Sequence, residues 1–189
     1  ALAIASQIQK EVKDAAILFV GAKGKMEMEK VPKAGFQIKG LWISGFQRSL
    51  SIQNLIFPLK LIISLIQGYF IIKKFKPNLV VGTGGFASGP VLQMAQWLKI
   101  PTVIQEQNSY PGITNKLLSK KVDTICVSFD GMEQYFPPQK IKLTGNPIRS
   151  KIGTVSAPES SKQFFGLDPN KPTLAIIGGS LGARSVNAL

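Results

Sequence analysis

Two glycine-rich loops, each set between an apolar run and an amphipathic one, constrain this chain more than any other feature. The first follows Asn78-Leu79-Val80-Val81 and reads Gly82-Thr83-Gly84-Gly85-Phe86-Ala87-Ser88-Gly89-Pro90. The second follows Thr173-Leu174-Ala175-Ile176-Ile177 and reads Gly178-Gly179-Ser180-Leu181-Gly182-Ala183-Arg184. A buried strand, a tight glycine turn and a helix start together make an anion site. Glycine lets the backbone approach a phosphate, and the helix start offers free N–H groups and the positive end of its dipole. Two such units imply two α/β halves facing one cleft. Neither loop is G-x-G-x-x-G or G-x-x-x-x-G-K-[ST], so neither standard nucleotide fingerprint applies.

Around the loops, strand and helix patterns alternate. Helices are expected over residues 1–11, 25–34, 51–75, 90–99, 113–120 and 161–165. Strands are expected over 15–21, 37–43, 78–81, 102–105, 124–128 and 140–143, and again ahead of the second glycine loop. Such alternation specifies an α/β fold with a doubly wound parallel sheet. The polar stretch after Gly145 marks a boundary. The expected domains are 1–145 and 161–189, joined by a linker over 146–160. At 189 residues the chain is long enough for one full domain and part of a second. It opens in a helical pattern without an initiator Met and stops early in the helix after the second loop. We therefore read it as an internal piece of a longer protein, with a first strand and loop expected upstream.

Histidine is absent and there is a single cysteine, Cys126. A disulfide framework and a Cys-based metal cluster are thereby excluded, and the commonest general base is missing from this stretch. Cys126 lies in the run Thr124-Ile125-Cys126-Val127 and is expected to be a buried structural thiol. No Asp/Glu cluster sits in the glycine loops, so no metal and no other cofactor is expected.

The net charge is +13, and residues 30–105 contain no acidic side chain. Such a stretch suits contact with a polyanion, either nucleic acid or an anionic lipid surface. Residues 55–72 favour lipid. The run is apolar nearly all round, but Pro58, Lys60 and Gln67 interrupt it, which argues against a membrane span. Lys60, Ser64 and Gln67 form only a narrow polar stripe, leaving more apolar surface than a sheet-covering helix needs. The expectation is an interfacial patch of Lys60, Ile63, Ile66, Phe70, Lys73, Lys74 and Lys76 on an anionic membrane.

Four clusters each follow an expected strand: 82–90, 105–108, 145–149 and 178–184. Ligands bind at the carboxyl ends of parallel strands, so all four are expected on one rim. Glu106 and Asn108 either act there or cap the following helix. Arg149 is either a surface charge or, at the expected hinge, a clamp for a diphosphate.

Taken together, Gly84-Gly85-Phe86-Ala87-Ser88-Gly89-Pro90, the segment Glu106-Gln107-Asn108-Ser109-Tyr110-Pro111-Gly112-Ile113-Thr114-Asn115-Lys116, Gly145-Asn146-Pro147-Ile148-Arg149 and the second glycine loop resemble the MurG family. Its members are bacterial peptidoglycan N-acetylglucosaminyltransferases that make lipid II from lipid I. The resemblance implies a GT-B architecture of two Rossmann-like domains, the first for the lipid-linked acceptor and the second for UDP-N-acetylglucosamine. It implies inverting transfer: the 4-hydroxyl of undecaprenyl-diphosphate-linked MurNAc-pentapeptide attacks the anomeric carbon as UDP leaves. Donor contacts carry over to Asn108, Arg149 and Ser180. Diphosphate loops carry over to Gly84 and Gly85, and to Gly178, Gly179 and Gly182. The family's histidine lies upstream of Ala1, so the catalytic base is left unassigned, with Glu106 as a candidate. Gln105 stands where many relatives have His, and Phe86 where some have Tyr. The resemblance further implies peripheral attachment to the cytoplasmic face of the bacterial inner membrane, and no turnover by this chain alone.

Three other readings compete. One is another GT-B enzyme acting on a sugar nucleotide. An NAD-type Rossmann protein would want G-x-G-x-x-G with an acidic residue about 20 positions on; Glu106 is suitably placed, but the glycines do not fit. A basic membrane- or nucleic-acid-binding α/β module has the charge, but a nucleic-acid site would want aromatic or Arg side chains interleaved on the basic face. Here that segment is Leu- and Ile-rich, so no nucleic acid is expected as partner.

Overall fold

The computed structural model describes residues 1–45, 56–148 and 158–175. The chain divides into two compact units, Ala1–Ile148 and Arg149–Leu189. In the first unit, β1 (Leu18–Ala22) and β2 (Gln37–Leu41) pair in parallel, with α1 (Leu2–Glu11) before them and α2 (Glu27–Lys33) between. A long helix α3 (Phe57–Phe75) leads to β3 (Val80–Gly82), and α4 (Ser88–Trp97) to β4 (Thr102–Glu106). Then come α5 (Ile113–Leu118), β5 (Thr124–Val127) and β6 (Ile141–Leu143). Strands β3 to β6 form one parallel ladder in chain order, with Gly82 opposite Ile104, Ile104 opposite Ile125 and Ile125 opposite Ile141.

The α/β architecture and parallel strands agree with the sequence. The described strands form two parallel ladders, of two and four strands, with no backbone pairing between them among the described residues. A shared core joins them: Ala22 and Leu41 from the first ladder pack with Ile72 of α3 and Ala87, Val91 and Ala95 at α4. Successive side chains of a strand point to opposite faces. Phe19 thus turns away from that core and packs with Ala5, Val31 and Phe36 under α1 and α2, its ring centre 5.2 Å from that of Phe36. A second core of Leu92, Ile104, Leu118, Val122, Ile125, Met132 and Phe136 fills the four-stranded end.

Local chemistry sets the ends of the elements. Lys76 closes α3 in the left-handed conformation, φ 53°, and Pro77 stops further helix. Asp123 Oδ2 accepts Thr102 N at 2.7 Å and Thr102 Oγ1 at 3.0 Å, tying the turn before β5 to the start of β4. Cys126 is half-buried rather than buried, because it alternates with Ile125 and Val127, which take the core face. In the second unit, α6 (Pro158–Phe164) begins inside the expected linker; proline is pre-shaped for the first helical turn. Residues 173–175 pair with no strand among the described residues.

Helix α3 departs from the amphipathic rule. Its polar stripe faces the protein: Ser64 is fully buried, Gln67 Oε1 accepts Trp42 N at 2.9 Å, and Lys60 Nζ donates to Ser44 Oγ at 3.0 Å. Leu61, Leu65 and Ile72 pack on the core beside that stripe, and a second apolar face points outward, with Leu59, Ile62, Ile66 and Phe70 between 52% and 65% exposed. Lys60 is therefore an inward contact and not part of an outer patch, and Ile63 is half-buried. Ile66, Phe70, Lys73, Lys74 and Lys76 are exposed. Between α3 and α4 lies an open apolar cleft of about 360 Å³, walled by side chains that include Ile66, Phe70, Met94 and Trp97. No helix of the described residues is long and apolar enough to cross a membrane.

Candidate active site

Because β3 to β6 run parallel, their carboxyl ends share one rim. Two of the four expected clusters meet there. A cleft of about 310 Å³ opens between residues 83–86 of the glycine loop, 106–108 at the end of β4 and just beyond it, and 112–115 at the start of α5. The segment 145–148 follows β6, two strands from β4, and does not line this cleft. Arg149, Gly178, Gly179, Ser180 and Gly182 lie outside the described residues.

The glycine loop has the shape its sequence implies. Gly84 and Gly85 take φ of 87° and 81°, a region that costs other residues about 1–2 kcal/mol. A Cβ on Gly82 would stand 2.3 Å from Leu92 Cδ1, so glycine there lets α4 close onto β3. A Cβ on Gly45 would stand 2.1 Å from Phe86 Cζ, so glycine also lets that segment lie against the Phe86 ring. Phe86 remains about half exposed at the cleft wall. Ser88 Oγ, in the first turn of α4, donates to Gly85 O at 3.1 Å.

The second wall is a hydrogen-bonded block. Gln107 Nε2 donates to Thr83 O at 3.2 Å, linking the segment after β4 to the glycine loop, and also bonds Gln105 Oε1. Gln105, only 3% exposed, in turn bonds Ser128 Oγ. Glu106 is 2% exposed, and burial of a carboxylate is tolerated only where hydrogen bonds replace water. Its Oε1 accepts Asn108 N at 3.0 Å and Asn108 Nδ2 at 3.1 Å. Its Oε2 accepts Gly112 N at 3.1 Å and Asn115 Nδ2 at 2.8 Å. Glu106 thus ties Asn108, two residues beyond β4, to Gly112, just ahead of α5, and to Asn115 within that helix.

Asn115 is the cleft residue that sequence reading did not single out. It is 2% exposed, and its Oδ1 has no hydrogen-bond partner among the described residues. Its place beside Glu106 comes from tertiary folding; the one hint is a polar side chain early in a short helix. Nearby, Lys116 holds its ammonium 3.9 Å from the Tyr110 ring centre and 4.4 Å from that of Tyr135. Cation–π attraction of this kind fixes the tip of the 107–112 segment. Among the described residues no three His, Cys, Asp or Glu side chains come together to hold a metal ion. The cleft therefore presents glycine backbone at one end and fixed side-chain amides at the other.

Comparison with known proteins gives a consistent set. The family model described as the glycosyltransferase family 28 N-terminal domain matches residues 1–127. A protein of Flavobacterium psychrophilum is 55% identical over 190 residues, covering all of this chain and 52% of its own length. One of Cytophaga hutchinsonii is 54% identical, covering 99% of this chain and 51% of its own length. Both are named UDP-N-acetylglucosamine–N-acetylmuramyl-(pentapeptide) pyrophosphoryl-undecaprenol N-acetylglucosamine transferase. The chain spans about half the length of the curated relatives it matches. The crystal structure of Acinetobacter baumannii MurG superimposes with a TM-score of 0.62 at 27% identity, over 79% of this chain and 41% of that one.

Proposed function

The chain belongs to glycosyltransferase family 28, in that family's N-terminal domain, and from this premise we propose that it is the acceptor-binding half of an N-acetylglucosaminyltransferase. The whole protein moves N-acetylglucosamine from UDP to the 4-hydroxyl of MurNAc-pentapeptide carried on undecaprenyl diphosphate. The observation that carries the reading is the cleft itself, where the Gly84–Gly85 turn faces the amide-rich wall built on Glu106. Backbone N–H groups at a glycine turn suit an acceptor diphosphate. Hydroxyl-bearing sugar suits amide side chains.

In the proposed step, the acceptor 4-oxygen forms a bond to the anomeric carbon and its proton passes to solvent. The bond from that carbon to the UDP oxygen breaks, and UDP departs with the electron pair. Charge on the leaving diphosphate calls for fixed N–H donors and a cation. Gly178, Gly179, Ser180 and Gly182 are suited to donate, Arg149 to supply the charge, and Asn108 to hold the donor sugar. The outward apolar face of α3, edged by Lys73, Lys74 and Lys76, supports attachment to an anionic membrane surface, the cytoplasmic face of the inner membrane in this reading. The test is UDP release by the full-length protein. Release should require both UDP-N-acetylglucosamine and the lipid-linked acceptor; release with a simple sugar in place of the acceptor would refute the reading.

A further inference from the structure

Glu106 sits at the end of β4 with four donors around its two oxygens: Asn108 N and Nδ2 on one, Gly112 N and Asn115 Nδ2 on the other. A carboxylate has about four lone-pair positions, so every acceptor position is taken. A general base needs a lone pair facing the proton it removes. Glu106 offers none without giving up a bond from Asn108, Gly112 or Asn115.

The same contacts set the polarity of two side-chain amides. An amide that gives its nitrogen to Glu106 must turn its carbonyl oxygen elsewhere. Asn108 and Asn115 are both held this way, and both line the cleft. Asn115 Oδ1 is buried without a partner among the described residues, which marks an acceptor poised for a donor rather than a satisfied core group. We propose that Glu106 is a positioning residue for glycosyl transfer: it fixes Asn108 and Asn115 with their carbonyl oxygens available to sugar O–H or N–H groups, and takes no proton itself. This rests on the transferase reading above.

Two variants of the full-length protein test it: Glu106→Gln alone, and Glu106→Gln combined with Asn115→Asp. The introduced glutamine has the size of the glutamate, but whichever way its amide lies, an NH₂ group meets two donors. The expected result is a rise of about 10- to 100-fold in KM for UDP-N-acetylglucosamine, with the acid limb of the kcat–pH profile where the wild type has it. In the double variant, the glutamine NH₂ donates to the introduced aspartate, and KM should recover part of the loss. A kcat that collapses with its acid limb at unchanged KM would overturn the proposal, as would a double variant no better than Glu106→Gln alone. Hydrogen exchange of the wild-type protein gives a readout independent of variant folding. The side-chain amides of Asn108 and Asn115 should exchange slowly; fast exchange of both would overturn it. Absence of wild-type transfer would strike the transferase reading itself, whereas transfer with fast exchange or unshifted KM strikes only the role of Glu106.

Discussion

Lys60 points inward, its ammonium 3.0 Å from Ser44 Oγ and 5.7 Å from the centre of the Trp42 ring. Beyond the apolar face that α3 turns to the core through Leu61, Leu65 and Ile72, its outer side carries Leu59, Ile62, Ile66 and Phe70, where an amphipathic helix would carry polar residues. The outward apolar side chains of α3 stay about half exposed, a surface that suits the membrane attachment proposed above. Lys73 and Lys74 in the last turn and Lys76 at its cap place positive charge at one end of that face.

Replacing Lys73, Lys74 and Lys76 by Gln should weaken binding to anionic vesicles by roughly 3 kcal/mol at low salt, at about 1 kcal/mol per Lys. Binding to neutral vesicles should change little. Ile66→Ser with Phe70→Ser should weaken both, and the deficit should persist at high salt, where charge is screened. Lys60→Gln should leave vesicle binding unchanged and lower Tm. Co-sedimentation across a salt series, with a thermal melt for Lys60→Gln, checks all three.

Two neighbouring glycines should respond differently to alanine. At Gly82 a Cβ meets Leu92 Cδ1 at 2.3 Å, so Gly82→Ala should cost stability through overpacking, about 1–3 kcal/mol. At Gly85 a Cβ meets no atom within 4 Å, leaving the strain of its positive φ, about 1–2 kcal/mol. Gly85→Ala should also raise KM for the lipid acceptor, because its methyl stands where the diphosphate is expected. Denaturant melts and acceptor titrations separate the two effects.

The order of strands and helices was legible because apolar runs and glycine turns are local signals. The Gly84–Gly85 turn and the convergence with residues 105–108 followed from the rule that parallel strands end on one rim. The polarity of α3 was not legible. Spacing located the stripe Lys60, Ser64 and Gln67 but not the side it faces, which depends on Trp42 and Ser44, many residues away. Asn115 was passed over for the same reason: its partner Glu106 belongs to a different element. The separation into two ladders depends on strand pairing, which no local pattern encodes.

Asp123 should make stability depend on pH. The N–H of Thr102 holds its carboxyl below the usual carboxylate range, helped by the Thr102 hydroxyl and the charge of Lys140. A carboxyl with a lowered folded value stabilises above its unfolded value, and that contribution is lost as pH falls through the folded one. Asp123→Asn should therefore lower Tm at neutral pH, with the gap to wild type closing under acid. Because Asp123 is exposed, added salt should narrow the part due to Lys140. Thermal melts from neutral to acid pH check the trend.

Arg149→Ala in the full-length protein should weaken UDP-N-acetylglucosamine binding by about 1.5–3 kcal/mol, the worth of a charge-assisted contact. Arg149→Lys should recover only part, since lysine keeps the charge but not the fork. Calorimetric titration of the donor gives both values, and unchanged affinity removes Arg149 from the site.

The transfer proposed for the whole protein, of N-acetylglucosamine to the 4-hydroxyl of a lipid-linked sugar with inversion, leaves its record in the linkage of the product. The full-length protein should be incubated with UDP-N-acetylglucosamine and undecaprenyl-diphosphate-linked MurNAc-pentapeptide, and the lipid product examined by nuclear magnetic resonance. The product should be a β-configured disaccharide joined through the 4-oxygen, with the diphosphate intact. An α-linkage, attachment at another position, or free N-acetylglucosamine as the only sugar product would contradict it.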